Sequence, residues 1–304
     1  MSGGGAAGMR LAYAGTAPFA VLVFERLLAA PHHVAVCLTN PDRPRGRHGT
    51  PQPPPMKAAA ERVAVAVLQP DTLDDTAPQD ELLSHEPDLL VACAYGAIVP
   101  QSLLDRLPAV VVHPSMLPRW RGAAPVERAL MAGETALGVA IVRMTAGVDE
   151  GPLADMRAVE VPRDADAGRA YELLAPVAAA ALVAALDAIV AGSVTWCEQE
   201  GEPSYAVKLT AADRRIDWRR PAAEIVDRVR ALSPRTGAVA ELGGRRVLVW
   251  RARACDEPAG DGGERLFVPA GEGFVEILEL QEEGRRRLPA EAYLRGAGRR
   301  LTGR

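Results

Sequence analysis

Two near-continuous apolar runs constrain this chain more than any other feature: residues 89–94 (Leu-Leu-Val-Ala-Cys-Ala) and residues 109–113 (Ala-Val-Val-Val-His). A strand with one wet face alternates apolar and polar residues, whereas a strand covered on both faces is apolar at nearly every position. The second run stops at His113, because Pro114 has no N–H with which to extend a ladder. Shorter runs at residues 9–15, 34–39, 65–68 and 138–144 alternate with helical segments near 19–29, 56–63 and 126–132. This alternation predicts an α/β fold with a doubly wound, mostly parallel sheet. A histidine at the carboxyl end of a buried strand stands where such sheets bind their ligands.

The first turn reads Ala-Gly-Thr-Ala-Pro-Phe-Ala, not G-x-G-x-x-G, so the sheet is Rossmann-like without the dinucleotide fingerprint. Residues 40–55 are too rich in proline for regular structure. Residues 173–191 are long and apolar, but they are rich in alanine and contain Pro176 and Asp187, which points to a packed helix rather than a membrane span. Residues 192–208 read as a polar connector. Beyond them comes a helix at 222–231, then short alternating segments at 238–242, 246–252, 266–269 and 274–280, with Gly243-Gly244 as a hairpin signal. This texture predicts a small β-barrel of the oligonucleotide-binding type. The expected organisation is a catalytic domain at 9–191, a linker at 192–208 and a C-terminal barrel at 209–304. Residues 1–8 are expected to be an unstructured leader.

Charge is unevenly spread. Residues 205–304 carry 20 Lys+Arg against 15 Asp+Glu, whereas residues 1–204 carry 15 against 24. A basic tail on an acidic body admits a polyanionic partner such as RNA, and equally an ordinary solvated surface. The four cysteines (Cys37, Cys93, Cys197 and Cys255) make no C-x-x-C pair, so neither a zinc site nor a disulfide framework is indicated. With no secretory signal pattern, a reducing cytoplasm is the expected location.

Residues 144–152 (Met-Thr-Ala-Gly-Val-Asp-Glu-Gly-Pro) follow a predicted strand, which would put Asp149 at the same sheet edge as His113. An aspartate beside a histidine orients the ring and stabilises its protonated form, giving a general acid/base pair. Each residue alone also has a structural reading, as a strand-end histidine and as a turn aspartate.

Several segments in order resemble the folate-dependent formyltransferases, and among them those acting on methionyl-tRNA. These are A-G-T at the first turn, N-P-D-R-P-R-G-R after the second strand, and A-Y-G at residues 94–96. They continue with H-P-S-M-L-P-R-W-R-G-A-A-P, then G-V-D-E-G, then K-L-T with I-D-W in the tail. The resemblance runs from Met9 to about Arg295. It implies transfer of a formyl group from 10-formyltetrahydrofolate, as co-substrate, to the amino group of methionyl initiator tRNA. His113 and Asp149 match the family's catalytic pair, and Ser115, Met116, Leu117 and Pro118 fall on its folate-binding segment. The basic loop, with Arg43, Arg45, Arg47 and His48, falls on the insertion that grips the tRNA acceptor end, Arg43 and Arg47 being the residues assigned to it. No metal, no membrane and a monomeric enzyme are implied.

One departure bears on chemistry. The family's Asn-x-His at the strand end is Val111-Val112-His113 here. Residues two apart on a strand share a face, so Val111 points the way His113 does. Losing one oxyanion donor costs roughly 10²–10³ in rate, or about 2.7–4 kcal/mol. Three accounts stay open: a protonated His113, Ser115 or a backbone N–H substitutes; a water does; or the enzyme is impaired. Ala17-Pro18 and Pro114 are smaller departures. Two rival functions remain, a formyltransferase of an amino sugar nucleotide and a tRNA-binding homologue with weakened chemistry. In the tail, Arg285-Arg286-Arg287 offers either a tRNA-facing row or a solvated surface.

Overall fold

The computed structural model describes residues 8–44, 49–258 and 265–296. Most of the leader (residues 1–7), together with Arg45, Arg47 and His48 of the basic loop, lies outside the described residues. The chain forms two compact units that are discontinuous in sequence: Met1–Ala123, Leu137–Val159 and Glu172–Tyr205 in one, and Ala124–Ala136, Glu160–Tyr171 and Ala206–Arg304 in the other.

The chain begins with β1 (Arg10–Gly15), α1 (Pro18–Leu27), β2 (His33–Leu38), β3 (Arg43–Pro44), β4 (Pro51–Gln52), α2 (Pro55–Arg62) and β5 (Ala66–Leu68). It continues through α3 (Thr76–Leu83), β6 (Leu89–Cys93), α4 (Gln101–Leu104), β7 (Ala109–His113), α5 (Pro125–Met131), β8 (Ala136–Arg143), β9 (Leu153–Glu160) and α6 (Ala167–Val190). The sheet order is β5-β2-β1-β6-β7-β8-β9. Pairing is parallel from β5 through β7, and β8 runs antiparallel to β7, with Val111 opposite Val142 and His113 opposite Ala140. The sheet is therefore mostly parallel, and β6 is buried at every position, as its apolar run demands.

The first turn shows why this fold needs its small residues. A Cβ on Gly15 would stand 2.6 Å from the Ala20 Cβ and 3.2 Å from the Cys93 carbonyl oxygen, so helix α1 can approach the sheet only over a glycine. Thr16 Oγ1 donates to the Tyr95 carbonyl (2.7 Å), which ties this turn to the loop after β6. Pro18 occupies the start of α1, where a missing N–H costs nothing. On α6 the row Ala170, Leu174, Ala178, Leu182 and Leu186 is fully buried, the pattern of a packed helix.

Two sequence expectations need correction. The 40–55 loop is not wholly irregular, because β3 and β4 form a two-residue ladder with Arg43 opposite Gln52; prolines are tolerated in so short an edge. Asp42 anchors that loop, accepting from Lys57 Nζ (3.1 Å) and Gln69 Nε2 (2.7 Å), and these bonds hold its carboxyl below the usual range. Strand β9 and helices α3 and α4 carry too little periodicity to be read in advance. Within the polar connector expected at 192–208, Leu153 and Cys197 exchange backbone bonds of 2.8 and 2.9 Å, and Arg121 N donates to the Ser204 carbonyl (2.8 Å).

The second unit carries α7 (Ala222–Leu232), β10 (Ala238–Leu242), β11 (Arg245–Cys255), β12 (Leu266–Pro269), β13 (Phe274–Glu282), β14 (Leu288–Pro289) and α8 (Ala290–Arg295). Its five strands pair antiparallel in the order β10-β11-β13-β12, with β14 on β13, as a half-barrel. Gly243 and Gly244 have φ of +55° and +73° and close the β10–β11 hairpin, the geometry a two-residue turn of this hand requires. One face of α7 (Ala222, Ile225, Val229, Leu232) packs in a core with Val247, Val249, Ile277 and Leu280. Arg128 of α5 clasps Asp213 with both guanidinium ends (2.6 and 3.1 Å).

Two predictions follow from these packings. Replacing Gly15 with Ala should destabilise the protein by about 1–3 kcal/mol in denaturant titration, and Ala20→Gly in the same chain should recover part of it. The Arg128 bonds hold the Asp213 carboxyl well below its ordinary range, so the stability they supply is complete above the unfolded-state value near ~3.9 and is lost as pH falls toward the folded one. Wild type should accordingly lead Asp213→Asn in unfolding free energy at neutral pH, and that lead should shrink steadily in acid.

Candidate active site

His113 ends β7, and the chain folds straight back over it. Ser115 N donates to the His113 carbonyl (3.0 Å), Ser115 Oγ to the Arg119 carbonyl (2.7 Å), and Arg119 N to the Met116 carbonyl (3.1 Å). This tight return brings Trp120, at φ +62°, to the ring, and its carbonyl oxygen lies 2.9 Å from His113 Nε2. Trp120 N donates in turn to Ser204 Oγ (2.9 Å).

Asp149 arrives by a route the sequence did not reveal. Because β8 is antiparallel to β7, it ends with Arg143 opposite Val110, and Met144 N donates to the Ala109 carbonyl (2.8 Å). The 144–152 loop therefore leaves the sheet beside the start of β7, not beside His113, and the expected shared strand-end edge is wrong. The loop doubles back instead. A side chain on Gly151 would overlap the Arg143 carbonyl oxygen, so the reversal needs a glycine there, whereas one on Gly147 would meet only the movable Glu150 carboxylate. Asp149, at φ +52°, then sets its Oδ2 3.4 Å from His113 Nδ1, where it also accepts from Gly122 N (2.8 Å). The two side chains are only 5% and 14% exposed, so the pair sits in a largely dry setting.

The ring's neighbours dictate its chemistry. A carbonyl oxygen only accepts, so Nε2 carries a hydrogen and, in the neutral ring, Nδ1 keeps its lone pair toward Asp149. Nδ1 and the Asp149 Oδ2 face each other across 3.4 Å. Burial pushes the Cys93 thiol and the Tyr95 phenol up to about 12, so both stay protonated near neutral pH. Among the described residues, no group of three His, Cys, Asp or Glu side chains is placed to hold a metal ion.

The other sequence-predicted residues divide. Ser115 and Leu117 are buried at 3% exposure, the hydroxyl spent on Arg119 and the leucine packed with Ala140, Val142 and Leu153. Met116 lies over Gly138, and the Pro118 carbonyl accepts from Ser204 N (3.2 Å). Of the backbone groups at 115–118, the Ser115 N–H and the Met116 and Pro118 carbonyls are engaged by neighbouring loops. Val111 is half-buried against the same apolar cluster as Leu117. Arg43 is exposed on β3, and Arg47 falls outside the described residues. In the tail, Arg285 pairs with Glu282 (3.0 Å) and Arg287 with Glu279 (2.6 Å), so part of that positive row is locally neutralised. Sequence reasoning missed Gln199 and Ser204, which brace the Asp149 and Trp120 loops from a polar stretch with no local signal.

A family model described as formyl transferase matches residues 9–186, and one described as formyl transferase, C-terminal domain, matches residues 208–298. The chain is 41% identical over 304 residues to a methionyl-tRNA formyltransferase of Halorhodospira halophila, covering 96% of this chain and 97% of the relative. It is 39% identical over 309 residues to that of Bordetella pertussis, covering 95% and 99%. Among solved structures, HypX from Aquifex aeolicus in complex with tetrahydrofolic acid superposes with a TM-score of 0.66 at 22% identity, over 97% of this chain and 48% of HypX. This chain thus spans about half the length of HypX. A methionyl-tRNA formyltransferase from Clostridium thermocellum gives 0.58 at 15% identity, over 82% and 95%. At such identities the structural likeness speaks to the fold alone.

The Trp120 contact makes one spectroscopic prediction. In nitrogen-15 spectra of the imidazoles, neutral His113 should show its hydrogen on Nε2 and a lone pair on Nδ1. A neutral ring protonated on Nδ1 would contradict the hydrogen-bond assignment.

Proposed function

The chain belongs to the formyltransferase family, and from that premise we propose that it moves the formyl group of 10-formyltetrahydrofolate onto the amino group of methionyl initiator tRNA. The observation that carries the reading is the His113–Asp149 pair, 3.4 Å apart and nearly buried beside the 114–122 loop.

The reaction exchanges one C–N bond for another. The neutral amine attacks the formyl carbon, the carbonyl oxygen takes up negative charge, and the folate nitrogen leaves with the bonding electron pair. The attacking nitrogen must shed a proton, and the departing nitrogen must gain one. One proton carrier can serve both ends, and Nδ1 of His113 backed by Asp149 has the required form: a lone pair to accept and a carboxylate to stabilise the imidazolium until it gives the proton up. Nε2 meanwhile stays bound to the Trp120 carbonyl, which keeps the ring from turning. Backbone groups of Ser115, Met116, Leu117 and Pro118 are proposed to hold the folate, and Arg43 and Arg47 to meet the tRNA acceptor end. The reading brings with it a cytoplasmic location beside the translation machinery.

Val111 narrows the choice of oxyanion donor. The Ser115 hydroxyl already donates to Arg119, and its N–H to the His113 carbonyl, so Ser115 is not a ready substitute for the family's amide. An Asn at position 111 would point from the same strand face as His113.

Single-turnover formylation with the formylated folate and charged initiator tRNA tests the reading. Wild type should form formyl-methionyl-tRNA, and His113→Ala should abolish it. Val111→Asn should leave the rate unchanged or raise it, by up to about 10²–10³-fold if an oxyanion donor is what valine withholds. Bound tRNA with no product at high enzyme concentration would instead support a binding protein, and formylation of an amino sugar nucleotide would support a different acceptor.

A further inference from the structure

Gln199 lies in the stretch whose composition reads as a linker, 50 residues beyond Asp149, yet its amide is fully engaged around the active pair. Its Nε2 donates to the backbone carbonyls of Asp149 and Gly151, both at 2.8 Å. Its Oε1 accepts from Arg121 through Nε (3.1 Å) and Nη2 (2.7 Å). Arg121 is the next residue after Trp120, whose carbonyl holds the other side of the His113 ring. The contacts close a circuit that runs from His113 through Asp149, Gln199, Arg121 and Trp120 back to His113.

We propose that Gln199 is a positioning residue for the formyl transfer: by donating to the Asp149 and Gly151 carbonyls it holds the Asp149 backbone in its left-handed conformation, and so keeps the carboxylate on His113 Nδ1. The proposal rests on the reading of His113 and Asp149 as the proton-carrying pair. A non-glycine residue at φ +52° persists only where its surroundings over-determine it. The Gly122 N–H fixes the carboxylate end of Asp149, and Gln199 fixes its peptide end. With the peptide end released, the loop can relax toward ordinary φ and carry Oδ2 away from the ring. A displacement of about 1 Å at a reacting group costs on the order of 10²-fold in rate. Gln199 touches neither the imidazole nor the carboxylate, so its action is exerted through the Asp149 backbone.

The chemistry of the amide supplies the test. Gln199→Glu keeps the length and gives Arg121 a stronger acceptor, but it replaces the donor facing two carbonyl oxygens with a carboxylate oxygen that repels them. Gln199→Ala removes both functions. Steady-state formylation of methionyl initiator tRNA should show kcat reduced on the order of 10²-fold in both variants, with KM for folate and for tRNA unchanged. The melting temperature of Gln199→Glu should fall no further than that of Gln199→Ala, because the Arg121 bond survives. If Gln199→Glu turns over like wild type, the residue serves only to anchor Arg121 and the proposal fails. A loss confined to KM in either variant overturns it as well. Should wild type itself fail to formylate this tRNA while Asp149→Asn and Gln199→Glu both disturb the His113 imidazole resonances alike, the assigned reaction fails and the positioning role stands.

Discussion

The His113 ring is gripped on two sides by acceptors of different kinds, and most of what the site can do depends on that difference. On Nε2 it meets a peptide carbonyl, which cannot take a proton and therefore fixes the ring without entering the chemistry. On Nδ1 it faces a carboxylate oxygen 3.4 Å away. The two neighbours thus fix one nitrogen on the backbone and set the other against an acidic side chain. The strand below sets where this happens, since Pro114 stops β7 at the histidine and forces the chain to turn back at once.

The antiparallel step between β7 and β8 sets the path by which the carboxylate reaches the ring. In an all-parallel sheet, the loop after the next strand would emerge at the His113 edge and need travel only sideways. Here it emerges beside Ala109 and has to double back along β7, a distance of roughly four strand residues at about 3.3 Å each. Gly151 permits the tight reversal because a side chain there would collide with the Arg143 backbone. The closing glycine of G-V-D-E-G is therefore a steric requirement of the antiparallel step.

This is also where the sequence stops being legible. Apolar runs such as 89–94 and 109–113 state their own burial, and the Gly243-Gly244 pair states its own hairpin, because those signals are local. Strand direction is not local, so β8 read as one more parallel strand, and Asp149 was placed at the right partner by the wrong path. Strand β9 alternates half-buried and exposed positions, but Asp155 and Arg157 take the half-buried ones and Met156 and Ala158 the exposed ones, so its apolar pattern does not mark its inner face. Gln199 and Ser204 were invisible for a different reason. A polar residue in a polar stretch carries no mark of its partner, and theirs lie 50 and 84 residues away.

Strain explains why that stretch is ordered. Both residues that touch the His113 ring nitrogens sit at positive φ, Trp120 at +62° and Asp149 at +52°, and such conformations cost about 1–3 kcal/mol each. The bonds that hold them include Ser204 to Trp120 N, Gln199 to the Asp149 carbonyl, and Gly122 N to the Asp149 carboxylate. Two of the three come from residues 199–204. The polar segment at 192–205 is accordingly part of the site's own framework, and without it Trp120 and Asp149 would sit on two loops each free to relax away from the imidazole.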